Sequence, residues 1–431
     1  MYRKIMGFLE AWKENEHRKP LILQGARQVG KTYSILEFGR THYENVAYFN
    51  FETNPKLNET FEENISPDYL IPILSHIAGQ TIVKEKTLIV FDEIQLCERA
   101  LTSLKYFCED APDYHIIVAG SLLGVAVNRA KFSFPVGKVD MKTLYPMDME
   151  EFMIAMGESD LAEQIEKCFE TNQPMPAALH DAAMQLYRQY LVVGGMPECV
   201  MQFVQTRDYI LIRHTQDTIL ASYLNDMSKY NNLNEIKKTR LAYDNITVQL
   251  SKKNTRFQYK LIKKGGRASE FENAIEWLCL SGIVSQVYRV EQIKKPLENY
   301  RDIDAFKIYV SDLGLLCAKK DLVANDILYM VEELNDFKGG MTENYVNVQL
   351  TINGYNTYYW ESERGAEIDF VIQREGQLIP IEVKSADNTR AKSLKVYMDT
   401  YKPAYAIKLS AKNFAFEDNK KVVPLYAAFC I

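Results

Sequence analysis

No stretch of this 431-residue chain approaches the roughly 20 apolar residues that span a bilayer, and the opening MYRKIMGFLEAWKENE lacks the apolar core of a signal peptide. A membrane protein is not expected. The seven cysteines, at positions 97, 108, 168, 199, 279, 317 and 430, form no Cys-x-x-Cys pair, and with six histidines in the chain no Cys/His cluster has metal-ligand spacing. They read as reduced structural thiols of a cytoplasmic protein. No internal repeat or low-complexity tract is evident. Surplus positive charge is also missing: a net charge of −6 argues against a nucleic-acid coat over the whole surface and leaves room only for a local basic groove. What is present, 47% hydrophobic and 25% charged residues, suits two to four globular domains.

The most informative run is Gly25-Ala26-Arg27-Gln28-Val29-Gly30-Lys31-Thr32, which leaves the apolar Leu21-Ile22-Leu23 and reads as strand, phosphate loop, helix. Its glycines let backbone N–H groups converge on phosphate oxygens. Lys31 is placed for the terminal phosphates and the Thr32 hydroxyl for Mg²⁺, so ATP with Mg²⁺ is the expected cofactor pair. A second run, Lys86-Thr87-Leu88-Ile89-Val90-Phe91-Asp92-Glu93, has the continuous apolar character of a strand covered on both faces and ends in two acids. Asp92 is the candidate magnesium partner, and Glu93 the group that orients or deprotonates the attacking water. A third apolar run, from Tyr114, ends in Ser121, a candidate sensor of that water; a core strand with a polar end is the competing reading.

In GARQVGKT at 25–32, LIVFDEI at 88–94, VAGS at 118–121, FPVGKVDMKTLYPMDMEEF at 134–152 and VGGMPE at 193–198, the chain resembles the AAA+-like ATPases of bacteria and archaea that carry a C-terminal nuclease-like domain. The resemblance covers nearly the whole length. Such proteins usually carry an Arg after the sensor strand where this one has Lys138, so Arg129 and Lys138 are the candidate fingers. The resemblance also implies rings or dimers.

Periodicity divides the rest. Strands at 21–24, 46–51, 87–91, 115–120 and 139–144, alternating with helices, predict a parallel sheet over residues 1–147, with 50–66 as a surface insertion. Residues 148–230 read as a helical lid, in which Gly194-Gly195-Met196-Pro197-Glu198 is a hinge or a simple turn. Residues 229–310 hold 16 Lys and Arg against 9 Asp and Glu, the reverse of the chain's balance. There a helix over 268–281 followed by strands at 283–288 and 308–310 predicts a winged-helix-like region, 231–335. Glu270, Glu272 and Glu276 on that helix repel phosphate, so contact with DNA is assigned to the basic loop 252–267 and the wing; packing or protein contact is the alternative.

In the last part, 336–431, two alternating runs flank Glu375-Gly376. A two-residue turn there sets Asp369 opposite Glu382, with Lys384 on the face of Glu382. Opposed carboxylates about 4.5–5.5 Å apart call for a cation, and Mg²⁺ suits an oxygen-rich site. The spacing resembles the PD-(D/E)xK nuclease superfamily, with Glu343 matching the acid such proteins often place on their first helix. That resemblance implies metal at Glu343, Asp369 and Glu382, with Lys384 positioning the water for phosphodiester cleavage. A nuclease-like fold retained for binding, its acids in an ordinary ion pair with Lys384, is the alternative. Tyr355, Tyr358, Tyr359 and Trp360 are open to base stacking or to sheet packing. The overall expectation is an α/β protein, a P-loop NTPase sheet with helical lid, winged-helix-like region and small nuclease-like domain. It acts on DNA, or else switches a protein partner without cutting.

Overall fold

The computed structural model describes residues 1–120, 134–229, 233–250, 256–385 and 392–431. The chain forms two compact units, one of Arg3–Tyr145 with Leu280–Gly282 and one of Met1–Tyr2, Pro146–Cys279 and Ile283–Ile431.

The first unit holds a five-stranded parallel sheet of β1 (Leu21–Gln24), β2 (Asn45–Asn50), β3 (Thr87–Asp92), β4 (His115–Gly120) and β5 (Asp140–Thr143), in the order β2-β3-β4-β1-β5. Every residue of β3 and β4 is buried, as central strands with helices on both faces require. The order sets β4 between the strand of the phosphate loop and the strand of the acids. Residues 50–66 are not a surface insertion: Lys56–Glu63 is a helix, and its Leu57 and Phe61, one turn apart, are fully buried. Phe61 meets the Phe91 ring edge-on at a centroid distance of 5.6 Å. Burying each of these side chains contributes roughly 1.5–3 kcal/mol, which outweighs the polar residues around them.

The second unit combines helices, among them Met149–Ala155, Ser159–Thr171, Ala177–Val193, Pro197–Thr206 and Tyr209–Lys229, with an eight-stranded mixed sheet. The helical stretch expected as a lid thus belongs to this unit, where Ala177–Val193 packs on Leu313–Lys319. Gly194 and Gly195 sit in a tight contact: a β-carbon on Gly195 would lie 2.0 Å from the Met147 carbonyl oxygen, and one on Gly194 2.3 Å from Asp312 Oδ1. Asp312 accepts the N–H groups of Gly195 (2.7 Å) and Leu315 (2.8 Å), so close packing explains these glycines.

The sheet consists of β6 (Val284–Val290), β7 (Arg301–Val310), β8 (Tyr358–Glu361), β9 (Glu367–Arg374), β10 (Gln377–Val383), β11 (Ala406–Ser410), β12 (Ala415–Glu417) and β13 (Lys420–Pro424), in the order β12-β13-β11-β10-β9-β8-β6-β7. The helix Ala268–Leu280 and the antiparallel pair β6–β7 form close to the expected places. The pair is no free wing, because β6 also pairs with β8, and the expected line between 335 and 336 runs through one sheet. Glu375 (φ 49) and Gly376 (φ 74) make the two-residue turn between β9 and β10, and the ladder runs from Gln377↔Arg374 to Ile381↔Phe370. It ends one pair short of the expected Asp369–Glu382 facing. Between Tyr358↔Val371 and Trp360↔Ile368 two residues of β9, Asp369 and Phe370, oppose the single Tyr359 of β8, a bulge that takes Asp369 out of regular pairing. Tyr358, Tyr359 and Trp360 are buried in the sheet, so packing, not base stacking, accounts for them.

Candidate functional site

Beyond Gln24 the chain turns through Gly25 (φ 146), Gln28 (φ 65) and Gly30 (φ 91) before the helix Lys31–His42 begins. A β-carbon on Gly25 would lie 2.1 Å from the Leu144 carbonyl oxygen, so this position needs glycine for space as well as for its dihedral. The Lys31 ammonium donates to the carbonyls of Gly25 (2.9 Å) and Ala26 (2.7 Å), folding back across its own loop. Buried Arg3 clamps the loop, donating to the carbonyls of Val29 (2.9 Å) and Tyr145 (2.8 Å).

At the end of β3, buried Asp92 accepts the Thr32 hydroxyl (2.9 Å) and the Tyr48 hydroxyl (2.7 Å) on Oδ2, and the Glu93 backbone N–H on Oδ1 (3.0 Å). Glu93 follows in the left-handed region (φ 54), where the chain leaves the strand, and its carboxylate accepts a hydrogen bond from the Gln95 amide. Burial pushes its pKa up, which makes it a stronger base toward water than an exposed carboxylate. Gly120, the last residue of β4, pairs with Gln24. Ser121 and Arg129 lie outside the described residues. Lys138 is engaged by Glu109 at 2.9 Å on the surface.

In the second unit the acids expected for a metal are partnered separately. Glu343, on the helix Asn335–Ile352, accepts from Tyr309 OH (3.1 Å) and pairs with Lys307 (3.4 Å). Lys307 also pairs with Glu367 at 2.5 Å and is 1% exposed. Burial alone would lower its pKa, but the Glu343 carboxylate raises it well above the ordinary value. Asp369 accepts the Val383 N–H at 2.7 Å, and burial, reinforced by the Glu343 charge, pushes its carboxyl up to about 7. Lys384 Nζ lies 2.8 Å from Glu382 Oε1, whereas buried Glu382 Oε2 has no hydrogen-bond partner among the described residues. Among the described residues no three His, Cys, Asp or Glu side chains converge as a metal-binding group. Glu343 is held by Lys307 and Tyr309, and its charge still reaches Asp369.

Residues 17–153 match the family model described as an AAA domain. The first unit is an AAA-type P-loop ATPase domain. Residues 184–326 and 338–428 match two models described only as domains of unknown function, DUF8612 and DUF4143. No curated protein matches the chain. Solved structures similar to it include a Walker-type ATPase of Pyrococcus abyssi (13% identity, 74% of this chain and 95% of that one, TM-score 0.44). Others are the ORC2 protein of Aeropyrum pernix (11%, 76% and 95%, TM-score 0.36) and RuvB of Thermotoga maritima (16%, 65% and 87%, TM-score 0.31).

The ATPase domain works with ATP and Mg²⁺. Its hydroxyl and carboxylate oxygens at Thr32 and Asp92 are the hard donors that Mg²⁺ prefers. When bound, the ion offsets charge on the β- and γ-phosphate oxygens. Three residues of these sites escaped the sequence. Lys307 left a trace, a lysine inside the apolar strand run Ala305–Val310, where burial demands a counter-charge. Arg3 and Tyr48 left none, since their partners are distant in sequence.

Proposed function

We propose that ATP hydrolysis in the first unit drives action on DNA through the second. In this reading Lys31 holds the terminal phosphates, Thr32 and Asp92 hold Mg²⁺, Glu93 activates the water, and Ser121 senses it. The loop backbone from Gly25 to Thr32 cradles the phosphates. The observation that supports DNA as the partner is an open groove of about 1000 Å³ in the second unit, lined by Lys237, Lys238 and Lys263 with Glu235, Glu270 and Phe271. Lys238 pairs with Glu235 (2.9 Å) and Lys263 with Glu270 (3.2 Å). Such surface pairs contribute roughly 0–1 kcal/mol and exchange readily for phosphate. Duplex binding measured against salt tests the reading. Affinity should fall linearly with log salt, and each of Lys237→Gln and Lys263→Gln should flatten the slope by about 1. Binding that is absent, or indifferent to both variants, would favour the alternative, an ATP-driven switch for a protein partner.

A second reading, metal-dependent phosphodiester cleavage at Asp369, Glu382 and Lys384, draws on one observation: the partnerless Glu382 Oε2, a buried oxygen suited to a hard cation. Under it, Mg²⁺ or Mn²⁺ supports nicking of DNA and Asp369→Ala abolishes it; DNA left intact with either metal removes this reading.

A further inference from the structure

Asp92 receives two hydroxyl protons on one oxygen, and only the Thr32 donor belongs to the phosphate loop. The other, Tyr48, stands on β2, where Tyr48 pairs with Val90 and Asn50 with Asp92. Asn50 Nδ2 donates to the Tyr48 hydroxyl oxygen at 3.2 Å. The other end of that amide is occupied: Asn50 Oδ1 accepts the backbone N–H groups of Glu52 (2.9 Å) and Thr53 (3.0 Å). Two N–H donors can face only the carbonyl oxygen of an amide, so the amino group must face Tyr48. Tyr48 then accepts from Asn50, and its single proton is left for Asp92 Oδ2 at 2.7 Å. Each bond in this chain fixes the sense of the next.

We propose that Asn50 and Tyr48 form a positioning relay for the magnesium-nucleotide site, holding the Asp92 carboxylate in one rotamer before the ion arrives. Three donors, the Thr32 and Tyr48 hydroxyls and the Glu93 N–H, stop the carboxylate from turning. Partners of this kind that orient a metal ligand typically account for roughly 10–100-fold in metal affinity. Tyr48 touches neither phosphate nor reacting water in this assignment; it acts through Asp92. The relay rests on Asp92 being a magnesium partner.

The test is calorimetric ADP affinity, with Mg²⁺ and in EDTA, on the full chain, together with the magnesium dependence of ATP hydrolysis. Tyr48→Phe should leave affinity in EDTA unchanged, reduce the gain on adding Mg²⁺ about tenfold, and raise the magnesium needed for half-maximal rate. Asn50→Asp keeps an acceptor for the Glu52 and Thr53 N–H groups but offers Tyr48 a second acceptor, drawing its proton away from Asp92. The added negative charge alone would strengthen cation binding, so a weakening in Asn50→Asp reports the redirected proton. The double variant should lose no more than either single one. Equal weakening of ADP with and without Mg²⁺ in Tyr48→Phe, full magnesium gain in either single variant, or additive losses would overturn the relay. Asp92→Asn separates the two levels: if it leaves the magnesium gain intact, the assignment of Asp92 itself fails; if it removes the gain while Tyr48→Phe does not, only the relay fails.

Discussion

Glu93 stands one residue beyond the strand that carries Asp92, in a left-handed conformation and with its pKa raised by burial. A base is needed for the attacking water but not for holding nucleotide, so Glu93→Gln should bind ATP as the parent does and hydrolyse it roughly 10²–10⁴-fold more slowly, in single-turnover assays. Lost binding together with lost turnover would assign Glu93 a structural part. Lys307 is the residue whose importance grows most between sequence and structure. Its ammonium is buried against Glu343 and Glu367, so Lys307→Met strands two carboxylates and should destabilise the second unit by about 3–5 kcal/mol in urea denaturation. Pairing it with Glu343→Gln should recover part of that loss, because one stranded charge is then gone. The phosphate-loop residues are legible in sequence because their chemistry is local, each acting within eight positions of the others. Lys307 and Glu343, by contrast, are 36 positions apart.

At the scale of elements, Asp312 ties the start of the helix Leu313–Lys319 to the Gly194–Gly195 turn. Burial pushes its carboxyl up to about 6 from the ordinary 3.8, against the backbone N–H groups of Leu315, Gly195, Gly314 and Met196, which favour the ionised form. The folded state therefore holds this proton more tightly than the unfolded chain, and the stabilisation is complete below about pH 4 and is lost as pH rises through about 6. Between pH 4.5 and 7.5 the urea midpoint of the parent should fall relative to that of Asp312→Asn, whose profile is flatter; parallel profiles would refute the shift. The β9–β10 turn was legible because alternation on both sides leaves only Glu375-Gly376 between the runs. The bulge beside Asp369 was not, since it depends on how β8 pairs with β9, and no period-2 count along one strand contains that. For the same reason the helix Lys56–Glu63 was hidden in a polar stretch, its Leu57 and Phe61 too few to show a period.

For the molecule as a whole, ATP-driven action on DNA would couple two binding sites, and equilibrium coupling is reciprocal. If ADP with Mg²⁺ changes DNA affinity by some factor, DNA must change ADP affinity by the same factor, about 5–150-fold for typical coupling free energies of 1–3 kcal/mol. Fluorescence anisotropy and calorimetry on the full chain read both halves of this equality; DNA affinity indifferent to nucleotide would leave the two activities unconnected. By itself, the sequence determined the phosphate loop, the acid-tipped strand, the two-residue turn and the apolar runs that become the parallel strands, because each depends on residues near one another in the chain. Only the tertiary structure decided that the helices after Pro146 belong with the C-terminal sheet, that Arg3 clamps the phosphate loop, that Tyr48 meets Asp92, and that Lys307 holds Glu343. Those outcomes turn on which buried polar group finds which partner across long separations, and burial, the force that makes such pairing obligatory, exists only once the chain has folded.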